Sequence, residues 1–150
     1  MNEYNIPELD ILAYCLMPNH FHLIVQQHTP EAISHYMGRL CKSYVHAVNN
    51  RFNRTGHLFE GKYKIKEIDS IEYLLHLSRY IHLNPVRAQL VKGAKEWKYS
   101  SYEMYVNAMG RNSFLKPLTV LQEFNERNNY VDFVEMYQPA DKEKIVSVLF

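Results

Sequence analysis

Five glycines and two cysteines in 150 residues exclude several kinds of protein at the outset. So little glycine, without any period, rules out a collagen-like or glycine-rich low-complexity chain. Cys15 and Cys41 have no metal-ligand spacing and are too few for a disulfide framework, so a reducing cytoplasm is the expected setting. No stretch approaches the roughly 20 apolar residues needed to cross a bilayer, and no membrane partner is expected. Met1 to Asp10 carries Glu3, Glu8 and Asp10, the wrong charge sign and pattern for a signal peptide. An excess of charge of one sign is missing too, the net charge being +1.

What is present is a chain 47% hydrophobic, enough for one domain with a real core. Its charge is unevenly spread. Between Arg39 and Lys66, Arg39, Lys42, Arg51, Arg54, Lys62, Lys64 and Lys66 face Glu60 alone, a local charge of +6, so the remainder is acidic. Such a block fits a polyanion on one face. Taken alone, it fits a solvated surface equally well.

Ile11–Met17 reads as a buried strand, Pro18-Asn19 as a turn and His20–Gln26 as a second strand, giving a hairpin. Alternation puts Phe21, Leu23 and Val25 on one face and His20, His22 and Ile24 on the other. Thr29-Pro30 looks like an N-cap and first helical position, and the helix it opens runs to about Phe52. Ile33, Met37, Leu40, Cys41, Tyr44, Val48 and Phe52 would form its buried stripe. Gly61–Ile68 alternates Lys62, Lys64 and Lys66 with Tyr63 and Ile65, the pattern of a strand with a basic face. Asp69 or Ser70 caps a helix expected to stop at Asn84, before Pro85. Ser100 and Glu103 fit a capping box, and amphipathic segments follow around Leu118–Glu126 and Val131–Tyr137. The order of elements suggests an α+β domain with an antiparallel sheet.

His20 and His22 project from one face of a strand, where two imidazole nitrogens can share a divalent cation. Histidines that merely hydrogen-bond on a sheet face explain the same spacing. In the Ile71–Asn84 helix, Ile71, Leu74, Leu75, Ser78 and Ile81 mark the core side. Tyr80 falls on the opposite side with Tyr73 and His76, and Asn84 lies one turn further along it. An ordinary exposed tyrosine remains the alternative.

Three segments occur in order: Met17-Pro18-Asn19-His20-Phe21-His22-Leu23-Ile24-Val25, Gly56-His57-Leu58-Phe59-Glu60-Gly61-Lys62-Tyr63-Lys64, and Arg79-Tyr80-Ile81-His82-Leu83-Asn84-Pro85-Val86-Arg87-Ala88. Together with Tyr99-Ser100-Ser101-Tyr102 they resemble the single-tyrosine HUH transposases of small bacterial insertion sequences, in particular the branch associated with repetitive extragenic palindromes. The similarity runs from about Ile11 to Tyr105. It implies a ferredoxin-like antiparallel sheet flanked by helices, magnesium or manganese as cofactor, and single-stranded or hairpin DNA as partner. Residue by residue, it makes His20 and His22 metal ligands, Asn84 the polar side chain completing that site, and Tyr80 the nucleophile.

A metal would polarise the phosphodiester while Tyr80 attacks in line, leaving a 5′-phosphotyrosine and a free 3′-OH. A phenol titrates near 10, so it needs help in losing its proton. His76 is one helper to weigh against a structural role, and His46, His57 and His82 are read the same way. Zinc is less attractive, with no thiolate near and phosphate chemistry favouring hard cations. Arg39, Lys42, Lys62, Lys64 and Lys66 are the expected phosphate contacts, with Tyr63 stacking on bases.

The resemblance also implies a strand and helix ahead of Ile11, where only Met1–Asp10 stand. The expected organisation is therefore a catalytic domain over residues 1–110, short of its front, and a helical extension over 111–150. The missing strand would lie between the hairpin and Gly61–Ile68, leaving unpaired edges for another segment or a second copy in a homodimer. Against an active nuclease and strand-transferase stand two other readings: a catalytically silent DNA-binding remnant, and a metal-dependent hydrolase unrelated to DNA.

Overall fold

The apolar run and the Pro18-Asn19 turn do make a hairpin. In the computed structural model, which describes residues 7–107, 114–125 and 127–136, β1 (Leu9–Leu16) pairs antiparallel with β2 (Phe21–Gln27). The start of Met1–Asp10 and the end of the Val131–Tyr137 segment lie outside the described residues. Ala13 opposes Ile24 and Cys15 opposes His22, with a register shift between Ile11 and Ala13. Ala13, Cys15 and Ile24 are buried, which makes their face the core side of the sheet. On the other face Phe21 meets Phe59, and Phe59 meets Tyr44.

Helix α1 (Ala32–Phe52) ends where expected, at Asn53 with φ 47°. It starts later than the sequence suggests. Thr29 supports the first turn only through its carbonyl, 3.4 Å from Ala32 N, and Glu31 at φ 67° takes the N-cap position without a side-chain bond. Of the expected stripe only Met37 is fully buried, while Tyr44 and Phe52 are 55% and 66% exposed. A sheet two strands wide offers too little surface to cover a 21-residue helix.

Gly61–Ile68 is not a strand: its residues have no regular structure and, Ile68 apart, are exposed. Alternation makes a strand only where a neighbouring strand supplies hydrogen bonds. Among the described residues no such neighbour exists, and the outward backbone groups of Phe21, Leu23 and Val25 also find no backbone partner beyond β1. The outward edge of β1 fares better. Leu16 N donates to Tyr99 O at 2.9 Å, Ser101 N to Tyr14 O at 2.9 Å and Lys116 N to Ile11 O at 2.8 Å. Trp97 Nε1 reaches Leu16 O at 3.0 Å and the Tyr105 hydroxyl Leu12 O at 2.6 Å.

Helix α2 (Ile71–Arg87) opens on Ser70, whose hydroxyl accepts from Tyr73 N at 3.3 Å. Contrary to expectation it continues through Pro85, closing with Ala88 N on Asn84 O at 2.9 Å before Gln89 turns left-handed at φ 58°. Its burial is wider than one stripe, because sheet and C-terminal helices clasp it from different sides. Tyr73, Leu74, Ser78, Arg79, Ile81, His82, Leu83 and Pro85 are buried, whereas Ile71, assigned to the core side, is 50% exposed. The short α3 (Tyr102–Val106) starts after Ser101, with Ser100 Oγ accepting from Tyr102 N rather than forming a reciprocal box with Glu103. Two more helices, α4 (Leu118–Leu121) and α5 (Arg127–Glu135), complete an α+β architecture of antiparallel sheet and flanking helices. No helix among the described residues is long and apolar enough to cross a membrane.

At the centre lies His82, fully buried, with Nδ1 2.7 Å from the Tyr130 hydroxyl and Nε2 2.8 Å from Ser101 Oγ. Tyr130 donates onward to Ser78 Oγ at 3.1 Å, and Ser78 to Leu75 O at 2.8 Å. Tyr14 N donates to Ser101 Oγ at 2.9 Å. With Tyr130 donating to Ser78, Nδ1–H donates to Tyr130, while the Ser101 hydroxyl, accepting from Tyr14 N, has both Nε2 and Tyr14 O (3.2 Å) within reach. Burial holds the imidazole's pKa down at about 3, so the ring is neutral at pH 7 and takes the Ser101 proton at Nε2.

An acid limit follows. The unfolded imidazole titrates near 6.5 and the folded one at about 3, so the unfolded state binds more protons between these values. Stability from this residue is intact above 6.5 and falls as pH drops towards 3, by up to about 1.4 kcal/mol per unit. Urea unfolding across that range should show the slope. His82→Leu should flatten it, and at neutral pH should cost on the order of 2–5 kcal/mol by stranding Ser101 and Tyr130. Equal slopes in the two proteins would refute the assignment.

Candidate functional site

Anchoring His82 on one side of α2 turns Tyr80 to the other, since two residues rotate about 200° around a helix. That side meets β2. The Tyr80 ring lies edge-on to His22, with centroids 6.0 Å apart and planes at 78°, and His22 in turn stands 4.9 Å from His20. Tyr80 is thus half-buried against the sheet rather than turned away from the domain's packing. Asn84 follows one turn later on the same face, and Arg87 one turn after that, its guanidinium 4.7 Å from the Tyr80 ring centre.

The two imidazoles are prepared differently. His20 is exposed, with Nδ1 2.6 Å from Asn19 Oδ1. Donation to that carbonyl oxygen fixes the proton on Nδ1 and leaves Nε2 a lone pair. His22 is half-buried, and burial first, His20 second, lower its pKa to about 4. Its Nε2 is buried with no hydrogen-bond partner, as is Nδ2 of Asn84. A buried nitrogen without a partner costs free energy and calls for an explanation. Among the described residues no three His, Cys, Asp or Glu side chains gather into a metal cluster. The donor set at hand is two imidazoles and an amide. Such a set could hold one divalent ion, the amide through Oδ1, with room for further oxygen ligands.

The other tyrosines near this helix are poorer nucleophile candidates. Burial raises the pKa of Tyr102, Tyr105 and Tyr130, which serve the core. Tyr73 is buried as well and its pKa is raised by burial and then by Asp69. His76 is engaged elsewhere, with Nδ1 2.9 Å from the Arg79 guanidinium and its ring against Phe133. His46 bonds Asn50.

Of the basic residues, Arg39 and Lys42 are exposed on α1, and Lys62, Lys64 and Lys66 are exposed on the irregular segment leading to α2. Two contacts position that segment. The Tyr63 hydroxyl lies 3.5 Å from Ser34 Oγ, bringing it alongside α1, and Lys66 Nζ lies 5.7 Å from the Tyr73 ring centre, on the α2 face that carries Tyr80. Tyr63 remains 38% exposed.

Two residues of the site were not singled out from sequence. Asn19 reads as a turn residue, and nothing local marks it as the partner of His20. Arg87 stands seven residues after Tyr80, a helical spacing that would have revealed it had α2 been carried past Pro85.

Comparison with known proteins places the chain in a family. The chain is 29% identical over 131 residues to a Haemophilus influenzae protein named "Putative REP-associated tyrosine transposase", covering 71% of this chain and 70% of that one. No solved structure matches it. The profile described as "Transposase IS200 like" matches residues 4–84, more than half of the chain and inclusive of His20, His22, Tyr80 and Asn84. The chain belongs to the IS200-like transposase family.

Proposed function

We propose that this transposase cleaves and rejoins single-stranded DNA near hairpins in the cytoplasm, with Tyr80 as nucleophile. The observation that carries the reading is the Tyr80 ring against His22, whose buried Nε2 has no partner. A bound Mg²⁺ or Mn²⁺ would supply charge to the phosphate that Tyr80 attacks. His20, His22 and Asn84 are the residues that would hold it. With a pKa lowered to about 4, His22 offers its lone pair without competition from protons at neutral pH.

In the chemical step Tyr80 Oη bonds to phosphorus and the P–O3′ bond breaks. The phenolic proton leaves to solvent and the departing 3′-oxygen takes one up. The 5′-phosphotyrosine keeps the phosphodiester's energy, so a 3′-OH can attack it and free the tyrosine. Arg39, Lys42, Lys62, Lys64 and Lys66 neutralise backbone phosphates beside this site, and Tyr63 stacks on an unpaired base. The competing reading is a chain that binds DNA without cutting it, favoured by the outer edge of β2, which meets no backbone partner among the described residues and leaves the histidine strand supported by them on one side. A second copy pairing along that edge would supply the missing support.

The decisive experiment mixes the protein, Mn²⁺ and an end-labelled hairpin-bearing single strand. A covalent adduct stable to denaturation should form, vanish with Tyr80→Phe or excess chelator, and fall at least a hundredfold with His22→Ala. Binding without any adduct would select the silent remnant. Neutralising Lys62, Lys64 and Lys66 together should weaken binding to all single strands and flatten the salt dependence by roughly 0.7 in slope per lost phosphate contact. An unchanged slope would put the DNA elsewhere. Sedimentation should show a dimer that a proline in place of Leu23, on the outward register of β2, converts to monomer. A wild-type monomer at every concentration would dispose of edge pairing.

A further inference from the structure

We infer that Arg87 is a catalytic residue that clamps the non-bridging oxygens of the phosphate attacked by Tyr80. The inference rests on the proposed role of Tyr80 and extends it to a residue whose ordinary reading is a favourable positive charge in the last turn of a helix. Position argues for more than that. Because α2 runs through Pro85, Tyr80, Asn84 and Arg87 follow at intervals of four and three residues, within about 40° of one line along the helix. The guanidinium does not extend past the helix end into water. It folds back to 4.7 Å from the Tyr80 ring centre, and the side chain is half-buried there. His22 touches the same ring edge-on, so Tyr80 is bordered by a candidate metal ligand and by a permanent cation.

The other cations near α2 are turned to other work. Arg79, adjacent in sequence, packs over Phe133 at 4.3 Å and donates to Phe133 O at 3.3 Å, on the side of α2 that faces α5. Lys66 lies over Tyr73, two turns before Tyr80. Among the described residues Arg87 is therefore the cation stacked on the proposed nucleophile. A phosphate in line with Tyr80 Oη brings two charged non-bridging oxygens beside the ring that Arg87 covers. The planar fork of a guanidinium matches such a pair of oxygens in a way that an ammonium does not. Contact with the phosphate would give the guanidinium two charge-assisted hydrogen bonds, each stronger than its cation–π contact with the ring. The same contacts persist in the phosphotyrosine, where they would hold the phosphorus open to the incoming 3′-OH. Arg87 itself neither gains nor loses a proton.

The test is the rate of adduct formation on two substrates, one with a natural phosphodiester at the cleaved linkage and one with a methylphosphonate there, where a neutral methyl replaces one charged oxygen. Arg87→Ala should slow the phosphodiester reaction by about 10²–10³-fold, the usual effect of removing one such donor. Arg87→Lys, which keeps charge and bulk, should retain part of the rate. On the methylphosphonate, wild type and both variants should react within a few-fold of one another, because the oxygen pair that the fork grips is gone. A purely structural role would slow both substrates equally. That result, or full activity of Arg87→Ala on the phosphodiester, would overturn the inference while leaving Tyr80 as nucleophile. Absence of any adduct with the wild-type protein would remove the reading of Tyr80, and this inference with it.

Discussion

Burying an imidazole is tolerable only when both ring nitrogens find partners, and at His82 those partners come from opposite ends of the chain's packing. Ser101 reaches Nε2 from the segment that edges β1, and Tyr130 reaches Nδ1 from α5. The two bonds fix how α2 is rotated about its own axis as well as where it lies. Tyr80, Asn84 and Arg87 occupy the opposite side of that helix, so the contact of Tyr80 with His22 on β2 depends on a network these residues do not touch. The C-terminal helices thereby contribute to the site without lending it a single side chain.

A protein with twelve tyrosines has to separate those that pack from any that react. Tyr102, Tyr105 and Tyr130 are sealed in the core, where burial raises the cost of an ionised hydroxyl and makes them poor nucleophiles. Tyr105 and Tyr130 instead spend their hydroxyls on Leu12 O and on the His82 network. Tyr80 keeps its ring at the boundary between core and surface. One side packs on the core, and its other neighbours there include an imidazole and a guanidinium, which suit charge developing nearby.

Local signals carried much of this into the sequence. The hairpin follows from an apolar run broken by Pro18-Asn19, and the start of α2 from a serine that can cap it. The pairing of His20 with His22 on one face needs only the two-residue period of a strand. What stayed hidden depends on distance along the chain. The bond between His82 and Tyr130 joins residues 48 apart, and that between Tyr14 and Ser101 residues 87 apart, so no window of sequence contains either. The width of burial on α2 is hidden for the same reason, since it reflects elements arriving from both sides. Pro85 misled differently: its missing N–H forfeits one helical bond, yet the turn beyond it closes through Ala88 and Asn84.

Gly61–Ile68 is the sharpest case, because its pattern is right for a strand and its structure is not. Alternation decides which face of a strand is wet, but the strand itself exists only if its amides and carbonyls are bonded to a neighbour. The hairpin has two outward edges to offer. That of β1 is occupied by Tyr99, Ser101, Lys116 and the side chains of Trp97 and Tyr105. That of β2, carrying Phe21, Leu23 and Val25, meets no described backbone, and Gly61–Ile68 does not come to it. A strand standing between the two would satisfy both at once, giving β2 its partner and presenting a second edge against which Lys62, Lys64 and Lys66 could align. Among the described residues, the open edge of β2 and the unformed strand both trace to the same lack of a neighbour, and the basic segment keeps its charges exposed, with Lys66 on the α2 face that carries Tyr80.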